Sequence, residues 1–76
     1  MPKLPIMSGK KLHSWLIKYG CVDVSSKGSH FRIEYSKTSK RAPIPVHTNE
    51  DIGKGLFLKI LQELGIDIDD FLKFIS

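Results

Sequence analysis

Apolar side chains near the start of the chain recur at the i, i+3, i+4, i+7 spacing of one helix face. They are Leu12, Trp15, Leu16 and Tyr19. Ser8 is a residue type that favours the N-cap of a helix, and Gly20 is a type that ends one. The pattern therefore predicts a helix between Ser8 and Gly20, preceded by an extended lead-in over residues 1–7.

After Gly20 the apolar residues recur at every second position, which is typical of strands. Val22 and Val24 alternate with polar residues and predict a short first strand. A second strand is predicted over residues 30–35, with Phe31, Ile33 and Tyr35 on its apolar face and His30, Arg32 and Glu34 on its polar face. A polar hairpin loop leads to a third strand at residues 41–46. Its two prolines restrict that strand to a sheet edge or a bulge.

The C-terminal part predicts two further helices. Thr48 and Asp51 resemble a capping box, and an apolar stripe at helical spacing follows from Ile52 to Leu64. The segment Gly53-Lys54-Gly55 falls inside this predicted helix and lacks the spacing of a phosphate-binding loop. Gly65 ends the helix, and Asp67 caps a short last helix.

The order of these elements is α-β-β-β-α with one extra short helix. It predicts a single α+β domain over residues 1–76, in which helices cover one face of a three-stranded antiparallel sheet. A chain of this length has no room for a second core.

The charge is distributed unevenly along the chain. Residues 1–47 contain nine Lys and Arg residues and two acidic residues, a formal charge of +7. Residues 48–76 contain three Lys and six acidic residues, a formal charge of −3. A basic first part fits a polyanion such as nucleic acid, and lysines that only keep a small domain soluble fit it equally well.

Composition excludes several classes of protein. The single cysteine, Cys21, excludes a disulfide within the chain and a thiolate-rich zinc site, and its position predicts a packed thiol. No apolar run approaches the about 20 residues of a membrane span. Residues 1–7 are too short for a signal peptide, so we expect a cytoplasmic protein.

The three histidines differ in context. They lack the spacing of metal ligands, so we expect no metal site and no cofactor. His13 is expected at the surface or at an edge, and His47 is expected to bond backbone groups near a helix cap. His30 instead opens a strand and shares its polar face with Arg32, directly after a predicted turn of Lys27, Gly28 and Ser29. Such a surface can receive a phosphate group.

Several short motifs occur in a fixed order along the chain. They are Lys27-Gly28-Ser29-His30, Ile44-Pro45-Val46-His47, Ile52-Gly53-Lys54-Gly55-Leu56, Lys59-Ile60-Leu61, Gly65-Ile66 and Phe71-Leu72. In this set of motifs the chain resembles the HicA toxin family over roughly residues 8–75.

This resemblance implies a fold like that of double-stranded-RNA-binding domains. It also implies an mRNA interferase, an endoribonuclease that a HicB-type antitoxin protein keeps silent. The family's catalytic histidine corresponds to His30. Many members carry a second histidine or polar residue directly after it, where this chain has Phe31, so the resemblance leaves the second proton-transfer group unidentified.

Cleavage of RNA without a metal needs a base, an acid and cations near the phosphate. On the activity that the resemblance implies, His30 is predicted to transfer a proton, as the base. Lys27 and Arg32 are predicted to stabilise the phosphate charge, and the backbone amides of Gly28 and Ser29 to bind its oxygens. His47 is an alternative second proton carrier or a structural residue.

Two other functions fit the same pattern of residues. One is a non-catalytic RNA-binding module of the same fold, which reads the shape of an RNA duplex. The other is a pure interaction domain, against which the charge of +7 over residues 1–47 argues.

Overall fold

The computed structural model describes residues 4–27, 30–45 and 51–76, with residues 26, 27 and 30 described by their backbone. The elements are α1 (Gly9–Tyr19), β1 (Cys21–Lys27), β2 (His30–Tyr35), β3 (Lys40–Pro45), α2 (Lys54–Leu64) and α3 (Ile68–Ile75). The strands pair in the order β1-β2-β3, and both pairings are antiparallel. The predicted α+β architecture is confirmed, as is the position of β3 at a sheet edge.

The core lies between the helices and one face of the sheet. Its members with no exposed surface come from α1, β2, β3, α2 and α3: Leu12, Leu16, Ile33, Ala42, Ile44, Leu61, Leu64 and Phe71. Ile33 and Tyr35 are buried while Arg32 is exposed, which confirms the predicted alternation of β2. The opposite face of the sheet is open to solvent.

The first strand is longer than predicted and contains an irregularity. It runs to Lys27, and its register with β2 shifts between Asp23 and Ser25. Val24 therefore has no register partner in β2, and both Val22 and Val24 are exposed. An extra residue of this kind is a β-bulge, which twists the strand and changes which positions face the helices. A period of two read from the sequence cannot reveal it.

The predicted start of the main helix is wrong. Gly53 is the N-cap and α2 begins at Lys54, so Gly53-Lys54-Gly55 forms the cap and the first two residues of the helix and does not lie in its interior. Ile52 donates its backbone N–H to Met7 O at 2.9 Å, and Asp51 forms a backbone bridge with Ser8. These contacts pair residues 51 and 52 with Ser8 and Met7, ahead of the helix. Thr48, the predicted cap, lies outside the described residues.

The described part of the predicted lead-in, residues 4–7, is part of the fold. Met7 is buried, and Leu4 packs against the core. Gly9, the first residue of α1, lies so close to β3 that a Cβ atom built on it would be 1.8 Å from the carbonyl oxygen of Pro45. Only glycine permits this approach, which joins the start of α1 to the end of β3.

The other predicted helix ends are confirmed. The Ser8 side chain accepts the backbone N–H of Lys11, and the Asp67 side chain accepts that of Asp70. Gly20 and Gly65 follow α1 and α2 with positive φ angles of 128° and 75°.

Candidate functional site

The backbone of His30 lies in the middle strand, at one end of the sheet. His30 is the first residue of β2, and its register partners are Lys27 in β1 and Pro45 in β3. The sheet therefore brings two of the predicted site residues, Lys27 and His30, into direct register. The close contact between Gly9 and Pro45 fixes the start of α1 at the same end.

Arg32, the third strand residue of the predicted site, is exposed and lies in register with Ser25 and Pro43. Further along the open face of the sheet, the guanidinium of Arg41 donates to the carboxylate of Glu34 at 2.8 Å. Among the described residues, no ion pair engages Arg32. Its positive charge is therefore available to an anion.

Both longer helices begin at this end of the sheet. Gly9 contacts the end of β3, and the backbone bridge between Ser8 and Asp51 places the segment before α2 beside the start of α1. A helix N-terminus carries partial positive charge, which favours negatively charged groups nearby. Gly53 makes no side-chain cap bond, and a Cβ atom added there would meet nothing within 4 Å. The start of α2 is thus open.

Three residues considered for the site cannot be placed. Gly28, Ser29 and His47 lie outside the described residues. The predicted roles of the Gly28 and Ser29 amides and the two alternatives for His47 remain predictions.

A histidine–carboxylate pair that the sequence did not predict lies next to this site. Nε2 of His13 is 2.6 Å from Oδ1 of Asp23, and the imidazole centroid is 5.0 Å from the ring of Phe31. The side chain of His13 is only 19% exposed, although a surface or edge position was expected. The two residues are ten apart in sequence and belong to a helix and a strand, so no local pattern signals their contact.

A shallow groove of about 260 Å³ adjoins this pair and is lined by Lys10, His13, Ser14 and Phe31. Across the described parts of the chain, no three His, Cys, Asp or Glu side chains converge on a common point. Phe31 is half-buried, on the helix-facing side of β2. The groove therefore combines an aromatic wall with a lysine.

A comparison with known protein families shows which family this chain belongs to. The family model described as the HicA toxin of bacterial toxin–antitoxin systems matches residues 9–66. The match covers α1, the whole sheet and α2. The chain belongs to the HicA toxin family. Among curated proteins, no sequence matches it closely enough to be reported as a relative.

This HicA-family chain is therefore the toxin partner of a toxin–antitoxin system, and its family implies an antitoxin protein. Its fold is the predicted one, similar to double-stranded-RNA-binding domains. None of the helices in the described residues is long and apolar enough to cross a membrane.

The cysteine of this HicA-family toxin is buried at the start of β1, and burial raises the pKa of the Cys21 thiol to about 11. A thiol reacts as a nucleophile through its thiolate, which is scarce at neutral pH when the pKa is so high. The predicted packed thiol agrees with this position, and Cys21 has no part in the candidate site.

Proposed function

We propose that this toxin is a metal-independent endoribonuclease that cleaves mRNA, with His30 as a proton-transfer group, and that it acts in the cytoplasm, where mRNA is found. The observation that carries the proposal is membership of the HicA toxin family, whose matched region includes the Gly28-Ser29-His30 motif. The chemistry needs a histidine beside cations that can bind a phosphate.

The described surroundings of His30 support phosphate binding. Arg32 follows two positions later in the same strand and is exposed. The N-termini of α1 and α2 lie at the same end of the sheet and add partial positive charge. Residues 1–47, which contain these strands and α1, carry the formal charge of +7. Affinity for RNA is therefore expected to fall steeply as the salt concentration rises.

In the proposed reaction, His30 removes the proton from a ribose 2′-hydroxyl. The 2′-oxygen then attacks the adjacent phosphorus, and the bond from phosphorus to the 5′-oxygen of the next nucleotide breaks. An acid, not yet assigned, protonates the departing 5′-oxygen. The products are a 2′,3′-cyclic phosphate and a 5′-hydroxyl. Lys27, Arg32 and the Gly28 and Ser29 amides stabilise the charge that develops on the phosphate oxygens.

We further propose that the antitoxin is of the HicB type and covers the surface around His30 and Arg32. A partner with acidic groups facing that surface competes with RNA for the same cations. Matched charges of this kind speed association and favour the correct partner. Hydrogen exchange of the complex is expected to show protection at residues 27–34. Protection confined to α3, with cleavage still blocked, contradicts this mode of inhibition.

Inducible expression in bacteria tests the nuclease proposal. Growth and mRNA integrity are compared for the parent chain and a His30→Ala variant at equal expression. Arrest and mRNA loss are expected for the parent alone. An equally toxic variant contradicts the role of His30, and a parent that binds RNA without cutting it is a binding module.

Purified protein tests the chemistry. Cleavage is expected to continue in excess EDTA and to leave 2′,3′-cyclic phosphate ends. Loss of activity with the chelator, restored by magnesium or zinc, contradicts the metal-independent mechanism.

A further inference from the structure

The groove between α1 and β2 has no role in the reaction proposed above. Of the described residues that line it, Lys10, His13 and Ser14 are spaced i, i+3 and i+4 and therefore share one face of α1. Phe31 forms the opposite wall from β2. Phe31 directly follows His30 in β2, and consecutive Cα atoms are about 3.8 Å apart. Successive side chains of a strand point to opposite faces, so the groove lies at the same end of the sheet as His30 but on its helix-facing side.

The aromatic part of the groove is held in place by two contacts. The imidazole of His13 is fixed on one side by the carboxylate of Asp23, at 2.6 Å, and packs against Phe31 with an angle of 48° between the ring planes. A surface whose side chains are already ordered loses little entropy when a ligand binds. The pair of rings is therefore a preorganised platform for a planar group.

The charge changes along the groove. Lys10 is exposed at the α1 side, whereas the Asp23 carboxylate lies against His13. A phosphate is attracted by the lysine and repelled by the carboxylate, while an uncharged planar ring is tolerated beside both aromatic side chains. A nucleotide combines these two parts, a planar base and a phosphate. Single-stranded nucleic acids bind proteins through such stacking and backbone contacts.

We propose that this groove is a subsite for one nucleotide of single-stranded RNA, in which the base stacks on Phe31 beside His13 and the phosphate contacts Lys10. The proposal deepens the proposed nuclease function and rests on it. Because His30 is the first residue of β2, the RNA is expected to pass around this end of the sheet, from the subsite on the helix-facing side to His30 on the other face. The subsite positions the RNA chain, and His30 transfers the proton.

The test uses fluorescence anisotropy with the full chain and a labelled 2′-O-methyl oligoadenylate, which cannot form the cyclic phosphate. Phe31→Leu keeps apolar bulk and removes the ring. It is expected to weaken binding at least about fivefold, the lower end of what loss of one stacked base costs. The matched control is Phe74→Leu, because Phe74 is 43% exposed on α3 and packs against Trp15 and Tyr19 instead. It is expected to bind as the parent does.

An abasic oligomer of the same length separates stacking from backbone contacts. The parent and the Phe31→Leu variant are expected to bind this oligomer equally, because it has no base that could stack on Phe31. Lys10→Ala is expected to reduce the slope of log affinity against log salt by about 0.7, the value for one phosphate contact of a single strand. Lys11→Ala is its control, because Lys11 is the next exposed residue of α1 and does not line the groove.

The possible results distinguish this subsite from the nuclease function. If Phe31→Leu and Phe74→Leu bind alike, or if Phe31→Leu weakens binding of the abasic oligomer equally, the subsite is wrong, and cleavage of RNA by the parent still supports the nuclease. Equal effects of Lys10→Ala and Lys11→Ala overturn the phosphate contact. If the parent binds RNA through Phe31 without cutting it, the subsite stands and the nuclease proposal fails. If the parent does not bind RNA, both are overturned.

Discussion

The two ends of the three-stranded sheet differ in the contacts that they make and in the residues that they carry. At the turn end, residues 36–39 connect β2 to β3 and are bonded to the ends of both longer helices. The Thr38 hydroxyl donates to the Leu64 carbonyl oxygen at 2.6 Å, and the Ser36 hydroxyl donates to that of Gly20 at 3.0 Å. At the site end, the strands carry Lys27 and His30, and both longer helices begin.

The contacts at the turn end stabilise the fold, whereas the groups at the site end are available for the proposed chemistry. The last carbonyl groups of a helix have no partner within the helix, and at the turn end Thr38 satisfies one of them. The first N–H groups of a helix are likewise unpaired, and at the site end the open start of α2 has no side-chain cap. Unpaired donors and the exposed cation of Arg32 suit an anionic ligand. Substitutions of exposed groups at the site end should therefore lower RNA cleavage with little change in stability, and substitutions at the turn end should lower stability with little change in cleavage.

The largest effect is expected from His30→Ala at the site end. Loss of a proton-transfer group lowers the cleavage rate by about 10²- to 10⁴-fold. The strand pairings of residue 30 involve its backbone, so the melting temperature is expected to stay close to that of the parent. Single-turnover cleavage and thermal unfolding measure the two quantities. A fall in melting temperature that accounts for the lost activity contradicts the separation.

A smaller but still large effect is expected from Gly9→Ala, which affects both quantities. The new methyl group would lie 1.8 Å from the carbonyl oxygen of Pro45, so the start of α1 or the end of β3 must move. Overpacking of this kind costs about 1–3 kcal/mol of unfolding free energy. Because Pro45 is the register partner of His30, cleavage is also expected to fall at temperatures where the variant is folded.

Gly55→Ala is the matched control for that variant. A Cβ atom at Gly55 meets nothing within 4 Å, and alanine in a helix is more favourable than glycine by up to about 1 kcal/mol. Denaturant unfolding should show stabilisation for Gly55→Ala and destabilisation for Gly9→Ala. Equal stability of the two variants contradicts the close contact between α1 and β3.

Thr38→Val at the turn end is expected to lower stability without affecting cleavage. The variant keeps the shape of the side chain and loses the hydroxyl that bonds the Leu64 carbonyl, at a cost of about 1 kcal/mol. For a domain of this size that corresponds to a fall of about 4–8 °C in melting temperature. Thr38→Ser retains the hydroxyl and serves as control. Reduced cleavage by folded Thr38→Val would show that the two ends are coupled.

The smallest effect concerns Cys21, next to the turn end. Burial raises the pKa of the Cys21 thiol to about 11, above the ordinary value of 9.0, so its contribution to stability is complete below about pH 9 and is lost as the pH rises towards 11. Urea midpoints of the parent are expected to fall more steeply over this range than those of Cys21→Ala. Parallel pH profiles, or rapid alkylation of the folded parent at pH 8, indicate an accessible thiol.

Local pattern determined most of the architecture. The helix of α1, its Ser8 cap, the alternation of Ile33 and Tyr35 with Arg32, and the edge position of the proline-containing β3 were predictable because each follows from neighbouring residues. The motifs that resemble the HicA family are likewise local, and they selected His30 from three histidines.

Contacts between residues distant in sequence determined the rest. The start of α2 moved to Lys54 because Asp51 and Ile52 pair with Ser8 and Met7, an interaction that no capping signal contains. The pairing of His13 with Asp23, and with it the groove beside Phe31, depends on how α1 lies across the sheet. Periodicity gives the exposed face of each element, whereas only packing decides which faces meet.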